Sequence, residues 1–111
     1  MLTLDTLSSL AGSFALVGAR YHSDAFIVQK LKKAGAIILG KTNLSEWGLC
    51  RGFECPNGWS AVFGQAIGGF HDRQDPDGSS SGSAIAACLG LASGCIGGEV
   101  RLASPLPLMS C

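Results

Sequence analysis

Gly78-Ser79-Ser80-Ser81-Gly82-Ser83 runs directly into Ala84-Ile85-Ala86-Ala87-Cys88-Leu89. Small hydroxyl residues between glycines, set immediately before a helix-forming run, describe a tight loop whose backbone N–H groups open onto a helix N-terminus. Such a loop can hold an anion or an oxyanion. The same composition also serves as a flexible linker or a plain capping loop, so its meaning is set by what surrounds it.

On the C-terminal side the alanine-rich run predicts a helix over about Ser83 to Leu91, followed by a strand at Cys95-Ile96. On the N-terminal side, Gly52 to Gln74 is rich in Gly, Pro and Asn and shows no period. A structureless excursion that long is uncommon unless it is functional or anchored on something larger. Before it, Thr42 or Asn43 can cap a short helix over Leu44 to Trp47, with Glu46 in its first turns. Ala36-Ile37-Ile38-Leu39 is a short continuous apolar run of the kind buried on both faces of a parallel sheet. Ahead of it, Ser23-Asp24 offers an N-cap for a helix over Ala25 to Ala34. In that helix Ile27, Leu31 and Ala34 share one face, Lys30, Lys32 and Lys33 complement the dipole at its end, and Gly35 supplies the stop. Helix, glycine and buried strand form an α/β pattern, and strand-helix-long loop-helix-strand fits a crossover between sheet strands.

Composition agrees with a piece of interior. Hydrophobic residues are 47% of the 111, and charged residues only 14%, well below the roughly 25% of a free-standing domain. The net charge of zero and the lack of a basic stripe leave no electrostatic footprint for nucleic acid or an anionic membrane. Gly78 to Gly98 is uncharged, but its apolar part is too short to span hydrocarbon. Cys50, Cys55, Cys88, Cys95 and Cys111 form no Cys-x-x-Cys pair, and His22 and His71 stand at no ligand spacing from them, so no zinc or other metal site is expected. An odd set of thiols in helix and strand contexts reads as reduced apolar filler in a cytoplasmic setting.

Four blocks occur in order: Leu39-Gly40-Lys41-Thr42-Asn43-Leu44-Ser45-Glu46-Trp47-Gly48; Arg51-Gly52; Pro56-Asn57-Gly58-Trp59-Ser60 with Gly64-Gln65; and Asp75-Pro76-Asp77-Gly78-Ser79-Ser80-Ser81-Gly82-Ser83-Ala84. Together with Ala11-Gly12-Ser13 they resemble the amidase signature family, the Ser-cisSer-Lys hydrolases of carboxamide C–N bonds. The resemblance divides the chain into an unmatched segment 1–10, a partial amidase-signature domain 11–97 and an unmatched tail 98–111. It implies a fragment of an α/β fold with a mixed sheet flanked by helices, a small-molecule amide as substrate in the complete fold, and no cofactor. A complementing chain is a further expected partner.

Amide hydrolysis by a serine needs a base for the hydroxyl and donors for the developing oxyanion. In the family a neutral lysine is the base, a serine in a cis peptide relays the proton and a second serine attacks, a Ser-Lys variant of triad logic. Carried over residue by residue, the relay serine falls on Ser79. Gly78, beside it, gives the backbone latitude, and Ser80 supports the loop by hydrogen bonding. Ser81 and Gly82 complete the oxyanion loop. Asn57, Trp59, Ser60 and Gln65 match the family's loop near the acyl site, where they either contact substrate or merely fold the loop. The family's lysine base lies ahead of the Ala-Gly-Ser segment, so Lys41 reads as structural. The family nucleophile, in Thr-Glu-x-x-Gly-Ser, falls by spacing on Ala103; Ser104 is one step out and lacks the preceding glycine. Codons allowed for Gly98 to Ala103, read one base later, include Glu-(Arg or Lys)-x-Gly-Ser, so the tail reads as out of frame. The 111 residues alone are therefore expected to be inactive. The rival reading is a non-catalytic module whose Gly78 to Ser83 loop binds phosphate at the helix N-terminus; no lysine follows Gly82 as a nucleotide loop would require.

Overall fold

The computed structural model describes residues 9–49 and 54–98. Cys50, Arg51, Gly52, Cys111 and the tail positions Ala103 and Ser104 lie outside the described residues.

Helix α1 spans Phe26–Lys33. It starts from Ala25 without a side-chain cap, in place of the expected Ser23-Asp24 cap. Asp24 is instead drawn along the helix: its carboxylate pairs with Lys32 Nζ at 2.6 Å, and its carbonyl accepts from Gln29 Nε2. The end follows the sequence. Gly35, at φ 87°, donates to the Lys32 carbonyl while Ala36 N–H reaches back to Leu31, the paired bonds of a Schellman stop. The buried position on α1 is Val28, with Leu31 half-buried and Ile27 exposed.

The expected strand at Ala36 to Leu39 forms no ladder, and Ile37 and Leu39 are 85% and 73% exposed. A strand buried on both faces needs a neighbour on each edge, and the described residues supply none. Cys95-Ile96 is likewise unpaired as a strand. The sheet that does form lies inside the stretch read as irregular: β1 (Trp59–Ser60) pairs antiparallel with β2 (Gly64–Gln65), Trp59 opposite Gln65. Two-residue strands show no alternation for the eye to find.

The short helix expected over Leu44 to Trp47 is a 3₁₀ turn at Glu46–Leu49, and Trp47, Gly48 and Leu49 all have positive φ (51°, 64° and 67°). Its cause is tertiary. Trp47 N–H donates to the Ala11 carbonyl and Glu46 Oε2 accepts from Ala61 N–H, so the chain is pulled toward the hairpin instead of along a helix axis. Gly12 lies between them, its carbonyl accepting from Val62 N–H; a Cβ there would stand 2.6 Å from Ser60 Cβ.

Helix α2 spans Ser81–Cys88, two residues earlier than expected at its start and three at its end. Gly90, at φ 65°, closes it with a second Schellman pair, Gly90 N–H to Ala87 and Leu91 N–H to Ala86. Among the described residues no helix is long and apolar enough to cross a membrane.

Burial is the reverse of a self-sufficient domain. Among the described residues the buried apolar ones are Ala11 and Val28, whereas Ser9, Ser13, Ser45, Ser60 and Ser81 are all buried. Phe14, Phe26, Phe63, Phe70, Leu89 and Leu91 are exposed. The interior is thus a lattice of small hydroxyls and backbone bonds, and the apolar surface faces outward.

Candidate functional site

The Gly78 to Ser83 loop is built by turns at both ends. Asp75 Oδ1 accepts from Asp77 N–H, and Asp77 Oδ1 accepts from Gly78 N–H. These local bonds hold Asp77 and Gly78 in consecutive left-handed conformations, φ 50° and 61°, which a short polar side chain and a glycine adopt more readily than other residues. At the far end of the loop, Gly82 packs against the Thr42-Asn43 backbone so closely that a Cβ would lie 2.4 Å from the Asn43 carbonyl oxygen, which accepts Gly82 N–H.

Ser45 and Asn43 join this loop to the hairpin. Ser45 is fully buried; its Oγ donates to the Gly78 carbonyl at 2.9 Å and accepts from Gly58 N–H at 2.8 Å. Asn43 Nδ2 donates to the carbonyls of Gly58 and Gly64, and its Oδ1 accepts from Ser60 Oγ. Sequence reading gave Asn43 a capping role and Ser45 none of its own. Their place inside the Lys41 to Gly48 block was the signal available.

Ser79 sits at the centre of this frame. Its carbonyl accepts from Ser45 N–H at 3.1 Å, and the left-handed Trp47-Gly48-Leu49 run passes beside it, a Cβ on Gly48 falling 3.8 Å from Ser79 Cβ. Ser79 is half-buried, and among the described residues its Oγ has no hydrogen-bond partner. The neighbouring hydroxyls differ. Ser80 Oγ is bonded to Gly98, and Ser83 Oγ to Ile96 and Thr42. Ser81 Oγ is fully buried and, among the described residues, has no hydrogen-bond partner. The peptide bond at Ser79 is trans, as are all those described, in contrast to the cis serine that the resemblance implies.

The hairpin residues are brought near but not onto Ser79. Asn57 Nδ2 donates to Asp75 Oδ2 at 3.4 Å, and Gln65 Nε2 donates to the carbonyls of Asn57 and Ala66. These bonds fold the loop. Trp59, on β1, is partly exposed. Lys41 lies apart: its Nζ donates to Ser9 Oγ, Tyr21 OH donates to the Ser9 carbonyl, and burial lowers the Lys41 pKa from 10.5. As a ready-made anion nest the loop is largely occupied, because Gly82 N–H donates to Asn43 and the N–H groups of Ser83 and Ala84 donate to the Ser80 carbonyl.

The amidase family's sequence profile matches residues 2–101. The chain belongs to the amidase signature family. It is 46% identical over 99 residues to a protein of Arthroderma benhamiae named as an amidase, a match covering 89% of this chain and 17% of the relative. It is 45% identical over 97 residues to a protein of Arabidopsis thaliana also named as an amidase, covering 87% and 19%. Among solved structures, the peptide amidase of Stenotrophomonas maltophilia superposes with a TM-score of 0.79 at 47% identity, covering 83% of this chain and 19% of that one. This amidase-family chain therefore has the α/β amidase-signature fold in part, and it spans less than a fifth of the length of these relatives.

Proposed function

We propose that this chain carries the relay-serine segment of a hydrolase of carboxamide C–N bonds, with Ser79 as the relay. The observation that carries the reading is the unengaged Ser79 hydroxyl, held at a fixed backbone position while Ser80 and Ser83 are committed elsewhere. A relay must receive a proton from an attacking serine and pass one to a lysine amine, so its hydroxyl needs both directions open. Gly78, Gly82 and Ser81 shape the loop around it, and the Asn57, Trp59 and Gln65 hairpin borders the acyl site. Lys41 is not the base: its amine is directed at Ser9.

Ala103 stands at the nucleophile spacing, and the family lysine precedes the Ala-Gly-Ser segment. A complementing chain in a cytoplasmic setting is the partner of this reading, with a small-molecule amide as the substrate. The 111 residues by themselves release no ammonia from carboxamides. The rival phosphate-binding reading is less favoured because the Gly78, Gly82, Ser83 and Ala84 amides are already engaged.

The test is a transplant of residues 11–97 into the matching segment of the Stenotrophomonas peptide amidase. The chimera is expected to hydrolyse amides, and Ser79→Ala within it to lower kcat by about 10³-fold or more. Full activity of that variant would remove the reading.

A further inference from the structure

Every polar group of Ser45 goes to a segment that borders Ser79. Its N–H donates to the Ser79 carbonyl at 3.1 Å, and its own carbonyl accepts at 2.8 Å from the N–H of Gly48, in the left-handed run beside Ser79. Its Oγ donates to the Gly78 carbonyl at 2.9 Å and accepts from Gly58 N–H at 2.8 Å. Gly78 and Gly58 lie 33 and 13 residues away in the chain, and one hydroxyl joins them.

That link is close on both sides. A serine hydroxyl has one proton, and here it goes to Gly78, so Gly58 is held through a lone pair. Gly58 leaves no room for a side chain: a Cβ there would stand 2.5 Å from Pro76 Cγ and 3.3 Å from Ser81 Oγ. The hairpin is therefore pressed against the segment that leads into Ser79. Ser45 is fully buried and so touches no substrate. What it holds are two successive carbonyls, one in each of the planar peptide units that flank the Ser79 Cα. Fixing both planes fixes the direction of the Ser79 Cα–Cβ bond.

We infer that Ser45 is a positioning residue for Ser79: it aims the relay hydroxyl by holding both flanking peptide planes, and it ties that aim to the hairpin bordering the acyl site. The inference rests on the reading of Ser79 as the relay.

The experiment uses the chimera of residues 11–97 in the Stenotrophomonas peptide amidase, where a complete fold surrounds the segment. Ser45→Ala keeps the backbone bonds and removes the hydroxyl; kcat is expected to fall about 10- to 100-fold with KM changed by less than about twofold. Ser45→Cys, which fills the space with a weaker donor and acceptor, is expected to fall between, and it supplies the reading if the alanine variant does not fold. Val28→Ala, a buried change on α1, controls for lost stability and is expected to keep kcat. In the Ser79→Ala background, Ser45→Ala is expected to lower kcat no further, because it acts through that hydroxyl. Hydrogen exchange over residues 75–83 of the chimera reads the same link without turnover, faster in Ser45→Ala and unchanged in Val28→Ala. Full kcat in Ser45→Ala, a rise in KM alone, an equal loss with and without the Ser79 hydroxyl, or unchanged exchange overturns the inference. Full activity of Ser79→Ala removes the relay reading and this inference with it, whereas full kcat of Ser45→Ala beside an inactive Ser79→Ala removes this inference alone.

Discussion

Ser45 holds Ser79 by two routes: its N–H donates to the Ser79 carbonyl at 3.1 Å, and its Oγ donates to the preceding carbonyl, that of Gly78, at 2.9 Å. One fully buried residue thus fixes the two peptide oxygens on either side of the Ser79 N–H, and the Ser79 hydroxyl is left to point elsewhere.

Ser45→Ala removes a hydroxyl that satisfies Gly78 O and Gly58 N–H together. Leaving buried partners unsatisfied costs about 1–3 kcal/mol. Ser79→Ala, whose hydroxyl has no partner among the described residues, is expected to change stability by less than about 0.5 kcal/mol. Denaturant titration of both variants, read through the same far-UV signal, checks this; equal losses would contradict it.

Gly82→Ala places a Cβ 2.4 Å from the Asn43 carbonyl oxygen and 2.9 Å from Thr42 Cβ. The backbone cannot yield as a flexible side chain would, so a loss of about 1–3 kcal/mol is expected. Gly40→Ala is the control, since nothing lies within 4 Å of its Cβ position. Comparable destabilisation of the two by denaturant titration would show that the Gly82 contact is not tight.

The isolated chain is expected to be marginally folded and to self-associate. Ile37, Leu39 and Leu91 are 85%, 73% and 65% exposed, while among the described residues the buried apolar ones are Ala11 and Val28. Unpaired edges and apolar patches of this kind recruit other chains. Sedimentation and thermal scans test it, and a sharp reversible transition from a monomer would be the contrary result.

Lys41 gives a pH dependence of definite sign. Its folded pKa lies below 10.5 because burial disfavours the ammonium. Between the folded pKa and 10.5 the unfolded chain binds more protons, so stability rises with pH through that window; below it the cost of the buried charge is fully present. Lys41→Met is expected to flatten this rise. A titration of the Lys41 ε-methylene resonances that ends at 10.5 or above would refute the assignment.

The tail carries a prediction at the level of the transcript. If Gly98 onward is out of frame, the reading one base later contains a Gly-Ser near the position of Ala103. Sequencing the transcript decides it: a stop codon before that Gly-Ser, or its absence, leaves a diverged inactive chain as the explanation.

What the sequence determined by itself is local or collective. Gly35 ends α1 because a left-handed stop after a lysine-rich turn needs only its neighbours, and the alanine run made α2 for the same reason. The ordered blocks around Ser79 carried the family because each is a chemical pattern that survives without coordinates. Tertiary structure decided the rest. Ala36 to Leu39 has the pattern of a strand, yet a ladder is a property of two segments and its partner is not among the described residues. Trp47 left the helical region because Ala11, far away in the chain, takes its N–H. Asn43 and Ser45 became the frame of the site through bonds to Gly58, Gly64, Gly78 and Ser79. Four serines in a row of six look alike in sequence; long-range partners at Ile96 and Gly98 mark the Ser83 and Ser80 hydroxyls as holding the fold, and full burial separates the Ser81 hydroxyl from the half-buried one at Ser79.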